Sequence, residues 1–161
     1  MDSIVTETRE LPLGKLFGQL TKEYVGTFSK RLEHLPIKRH FYPLMLISQG
    51  NGRLSQTCLA GELHLDKVSV LRLVDYLSEH DCVERRQNPE DRREQFLHCT
   101  ELGESYIPDI KKALIETNEL CLEGLDSEEV KLLEKLLSRV TCNLHHQPQD
   151  TYSIEFIKKE K

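Results

Sequence analysis

The stretch LSQTCLAGELHLDKVSVLRLVDYLSEHDCVERRQNPEDRREQFLHC, residues 54–99, decides the fold. Ser55 suits an N-cap, because its oxygen can accept an amide that a first helical turn leaves unpaired. It opens a short helix over 56–62 that ends near Gly61 or Leu63. Asp66 is a second cap residue and opens a helix that runs to about His80, with Val68, Leu71, Leu73, Val74 and Leu77 as its apolar positions. Two short helices joined by the few residues 62–65 have helix-turn-helix spacing. Cys82-Val83-Glu84-Arg85-Arg86 then alternates as a strand, and Gln87-Asn88-Pro89-Glu90-Asp91 is a polar turn. Glu94-Gln95-Phe96-Leu97-His98-Cys99 returns as a second strand. A helix-turn-helix followed directly by a charged hairpin is a winged helix.

Outward from this unit the pattern is helical on both sides. Leu13, Leu16, Phe17, Leu20, Tyr24, Phe28 and Leu32 recur at spacings of three and four, which predicts a helix over 11–33. A second helix is expected over 38–49, with Pro43 either kinking it or delaying its start. Gln49-Gly50-Asn51-Gly52 is a turn. After the hairpin, Thr100 starts a helix whose stripe is Tyr106, Ile110, Ala113, Leu114, Thr117, Leu120 and Cys121, and Gly124 ends it. Asp126 with Glu129 resembles a capping box, and a last helix over 127–144 turns Val130, Leu133, Leu136, Leu137 and Val140 inward. The expected fold is mostly α with a small β-hairpin wing. A winged helix-turn-helix DNA-binding region covers 37–100. A helical dimerisation region is formed by 11–36 and 101–146, and 147–161 is a polar, mobile tail.

These segments resemble the MarR-type regulators. Leu54 to Ala60 looks like their third helix, Asp66 to Leu77 like their recognition helix, and Val83 to Arg93 like their wing. Leu97-His98-Cys99-Thr100-Glu101-Leu102-Gly103 looks like the strand and helix start that follow. Gly124-Leu125-Asp126-Ser127-Glu128-Glu129 looks like the approach to their last helix. The resemblance covers about residues 11–143. It implies a homodimer that places a recognition helix in a major groove and a wing in the adjoining minor groove of double-stranded DNA, at a near-palindromic operator. It also implies a transcriptional regulator, usually a repressor, released by a small lipophilic or phenolic ligand or by thiol oxidation. The sequence departs from the family pattern at Leu71, where a small polar residue is common, at Cys58 and Gly61, where charged residues are common, and at Pro43.

The residue chemistry of the DNA-facing surface follows from that alignment. Lys67, Ser69 and Arg72 share the first turns of the 66–80 helix, and an arginine there can pair bidentately with guanine. Ser55, Gln56 and Thr57 stand at a helix N-terminus suited to phosphate, with simple capping by Ser55 as the companion reading. Arg85 and Arg86 are phosphate candidates. The resemblance implies that Asp91 pairs with Arg93 to stiffen the wing, leaving Arg92 for the minor groove, with the two arginines open to exchange. Phe17, Tyr24, Phe28, His40, Phe41 and Tyr42 are candidate effector-pocket residues, against the simpler reading that they pack the core and dimer contacts.

Composition bounds the rest. The chain has 161 residues and a formal net charge of −5, so any nucleic-acid surface depends on local clustering of cations. Five cysteines at wide spacings, with no CxxC pair, support neither a disulfide framework nor a zinc site. Cys58 is the candidate redox thiol. No signal-peptide core and no membrane-length apolar run is present, which points to a cytoplasmic protein with no membrane partner. No nucleophile-elbow, zinc-protease, P-loop or dinucleotide motif is found, so an enzyme is not expected, and neither a metal nor another cofactor is implied. The remaining rival is a winged-helix protein-interaction module that does not bind DNA.

Overall fold

A computed structural model describes residues 12–89 and 94–145. Its elements are helix α1 (Leu13–Arg31), α2 (Phe41–Gln49), strand β1 (Leu54–Ser55), α3 (Gln56–Leu63), α4 (Lys67–Glu79), β2 (Val83–Gln87), β3 (Gln95–Cys99), α5 (Glu101–Cys121) and α6 (Ser127–His145). The fold is mostly helical with one small antiparallel sheet. The expected tail at 147–161 lies outside the described residues, as do positions 90–93.

Local chemistry explains where the elements begin. α2 starts at Phe41, later than the expected position 38, because Lys38 takes a left-handed φ of 48°. Pro43 then falls in the first turn, where no intrahelical donor is required of it. Ser55 Oγ accepts from Cys58 N at 3.3 Å and starts α3. Asp66 Oδ1 accepts from Val68 N and Ser69 N, both at 2.9 Å, and starts α4. α3 ends as His64, not a glycine, takes the left-handed conformation at φ 51°. Ahead of α6, Asp126 N donates to Glu129 Oε2 and Glu129 N to Asp126 Oδ1, both at 2.9 Å, a reciprocal capping box.

The sheet order is β1-β3-β2, with both pairings antiparallel. Val83 faces Cys99 and Gln87 faces Gln95, so β2 and β3 form the expected hairpin. Sequence reading missed β1, which pairs Leu54 with Leu97 and Ser55 with Phe96. Two residues are too few to show an alternating period.

The chain divides after Cys121 into two units. In the first, Phe28 of α1, Leu32 just after it, the inner faces of α2 to α4, Leu97 of β3, and Ile107, Ile110 and Ala113 of α5 close one apolar core. Phe28 and Phe41 meet edge to face there, with ring centroids 6.0 Å apart. α5 starts hard against the hairpin base: Thr100 N donates to Cys82 O at 3.0 Å and Thr100 Oγ1 to Asp81 O at 2.6 Å. Gly103 fits this corner because a Cβ would collide with the carbonyl of Cys82 and come within 2.7 Å of Cys99 Sγ. In the second unit, α6 turns Leu132, Leu133, Leu136, Leu137 and Leu144 to solvent. Leu133, Leu136 and Leu137, expected to turn inward, are thus exposed within a single chain, on a helix assigned to the expected dimerisation region.

Candidate nucleic-acid interface

The second helix of the helix-turn-helix decides what this surface can do. Val70, Leu73, Val74 and Leu77 form the buried stripe of α4. Val68 and Leu71, counted among the apolar positions of this helix, stand 56% and 46% exposed. Both sets satisfy helical spacing, and the neighbouring elements choose between them. The outward face of α4 therefore carries Lys67, Val68, Leu71 and Arg72, all exposed. Ser69 is half-buried, and its hydroxyl donates to Asp66 Oδ2 at 2.6 Å. That bond, with the amides of Ser69 and Val68, holds the Asp66 carboxyl below its usual range.

One turn further along the same face lies Asp75, which sequence reading did not single out. Arg85 Nη2 of β2 donates to Asp75 Oδ1 at 2.5 Å. The bond ties the base of the hairpin to the outward face of α4, so helix and wing are joined by a charge-assisted contact. Arg85 is thus engaged within the fold, while Arg86 is exposed and pairs with Glu84. Beyond β2, Asn88 Nδ2 donates to Glu94 Oε2 at 2.8 Å and Asn88 N to Glu94 O at 3.0 Å. Asp91, Arg92 and Arg93 lie outside the described residues.

At the start of α3, Ser55 is only 4% exposed and its hydroxyl serves the cap. Gln56 is half-buried, and Thr57 and Cys58 are exposed. Arg53, exposed just before β1, is a further cation beside this helix start that sequence reading passed over. Cys82 and Cys99 sit at the hairpin base. Burial, then Asp81, pushes the Cys82 thiol up. Burial, then Glu104, pushes Cys99 up to about 12, so both thiols stay protonated at neutral pH. Cys58, Cys121 and Cys142 are the exposed thiols.

The six aromatic candidates for an effector pocket do not converge on one cavity. Phe28 and Phe41 are core. Tyr24 donates to Asn118 Oδ1 at 2.6 Å and lines a 150 Å³ groove between α1 and α5, smaller than a typical ligand site. His40 packs on Tyr76, centroids 4.5 Å apart, and Tyr76 stacks on His80 at 4.1 Å. Phe17 is half-buried on α1, and Tyr42 is exposed on α2.

Comparison with known proteins bears on this arrangement directly. Residues 40–95 match the MarR family. The matched segment is the winged helix described above. Among solved structures, one of MarR is 28% identical, covering 85% of this chain and all of the other at a TM-score of 0.66. A MarR transcriptional regulator from Methanosarcina mazei is 25% identical, with 84% and 98% covered and a TM-score of 0.72. A cysteine-to-serine mutant of MarR from E. coli, complexed with operator DNA, is 23% identical, with 81% and 94% covered and a TM-score of 0.73. The MarR match spans α2 through the start of β3, the segment that holds every described residue of the outward α4 face. The structural matches extend the likeness to the flanking helices.

Proposed function

We propose that this chain is a sequence-specific, double-stranded-DNA-binding transcriptional regulator that acts in the cytoplasm as a homodimer. The observation that carries the reading is the outward face of α4, with exposed Lys67 and Arg72, braced through Asp75 and Arg85 against the hairpin of a MarR winged helix. An exposed helix face of this kind can enter a major groove while the braced hairpin follows the backbone. The operator DNA bound to the E. coli relative supports the same use of the surface here.

Within this reading Arg72 contacts base edges, and Lys67, Thr57, Gln56 and Arg86 contact phosphates. Ser55 and Ser69 act indirectly, by fixing the starts of α3 and α4, and Arg85 holds the wing's base. The wing-tip roles that the resemblance implies for Asp91, Arg92 and Arg93 fall on positions outside the described residues. The second copy covers the exposed leucines of α6 and the exposed Leu13, Leu16 and Leu20 of α1. Repression, with release by a small lipophilic or phenolic effector or by oxidation of Cys58, is the finer part of the reading.

A gel shift with the chain's own upstream DNA across a salt series tests it. Binding that weakens steeply with salt, at a near-palindromic site with half-sites about one helical turn apart, is expected. Arg72→Ala should relax base preference by about 1–3 kcal/mol at one position. Absence of any salt-dependent shift would leave the protein-interaction module as the better reading.

A further inference from the structure

We propose that Val68 and Leu71 read thymine C5-methyl groups in the major groove, beside Arg72, and so set part of the operator preference. The inference rests on the DNA-binding reading above and deepens it. Val68 lies three residues before Leu71 and four before Arg72, so the three side chains share one face of α4. The polar groups that could compete for base edges along this face are already committed. The hydroxyl of Ser69 donates to Asp66 Oδ2 at 2.6 Å. The carboxylate of Asp75 accepts from Arg85 at 2.5 Å. The outward surface that remains in the first two turns is two branched apolar side chains flanked by the cations Lys67 and Arg72.

Flanking positive charge favours a polyanion as the partner over an apolar protein groove. Within a polyanionic duplex, the thymine methyl is the apolar feature that base pairs display in the major groove. Cytosine lacks it, so a methyl-sized contact separates T from C without a hydrogen bond. Val68 is stiff about χ1, so little rotamer freedom is lost when it is covered.

The test uses the full chain. A preferred duplex is selected from a randomised pool, and each thymine is then replaced in turn by deoxyuridine, which removes only the methyl. Kd is read by fluorescence anisotropy at fixed salt. Replacement at one or more thymines in each half-site should weaken binding about fourfold, the loss expected for one buried methyl-sized group. Val68→Ala or Leu71→Ala should abolish that difference, giving equal Kd on the two duplexes, with melting temperature and salt slope retained. Kd that is indifferent to deoxyuridine at every thymine overturns the inference, as does an equal loss in the alanine variants. Salt-dependent binding without methyl sensitivity sinks this inference alone. A pool from which nothing is retained sinks the DNA-binding reading with it.

Discussion

The winged helix and the last helix use leucine in opposite ways. In α2 to α4 and β3, residues such as Leu44, Leu59, Leu77 and Leu97 are fully shielded. In α6, Leu132, Leu133, Leu136, Leu137 and Leu144 are exposed, although α6 is as regularly amphipathic as any helix of the chain. One region completes its own core, and the other leaves its apolar face exposed. An apolar face of this size is what a second chain would cover. Stability of the first should therefore be a property of the chain, and stability of the second a property of its concentration.

Four measurements break or sharpen that contrast. The largest effect belongs to the closed core: Leu77→Ala should cost about 2–5 kcal/mol in denaturant unfolding, because it removes a fully buried side chain and leaves a cavity. A cost under about 1 kcal/mol would mean that the core is not closed. Next, Leu133→Glu with Leu137→Glu should convert dimer to monomer in sedimentation and lower operator affinity by about 100-fold, with helical circular dichroism largely kept. An unchanged sedimentation profile would remove the second chain from α6. Third, Gly103→Ala should cost about 1–3 kcal/mol, since the added methyl meets the Cys82 carbonyl and Cys99 Sγ, and backbone gives way poorly. The smallest effect is a pH dependence. Burial, then His80 and Lys38, lowers the His40 pKa from its ordinary 6.5, so the folded chain favours neutral imidazole. The unfolded chain then binds more protons, and stability falls as pH drops below about 6.5. His40→Phe should flatten that part of the melting-temperature profile between pH 7.5 and pH 5.5.

Much of the fold was legible because its signals are local. The capping residues Ser55, Asp66 and Asp126 each act on amides two or three residues away, and a linear reading sees that range. The hairpin showed as two alternating runs around a polar turn. What escaped depends on partners distant in sequence. Val68 and Leu71 fit the apolar period of α4 as well as Val70 and Val74 do, and only the packing of α3 and β2 selects the buried set. β1 exists because β3 offers it an edge. At the site, the exposed cations Lys67 and Arg72 were readable as residue types. The bond from Arg85 to Asp75 was not, because it crosses from a strand to a helix ten residues earlier. The scatter of the six aromatic residues was equally invisible, since each follows its own helix face.

The central position of β3 sets the terms on which the wing can change. Among the described strands it is the one with neighbours on both sides, holding Leu54 and Ser55 on one edge and all of β2 on the other. Adding a residue within Gln95–Cys99 would turn Leu97 from the interior to solvent and misalign both ladders at once, including the strand that leads directly into α3. The seat from which the hairpin projects is therefore fixed in register by two ladders at once.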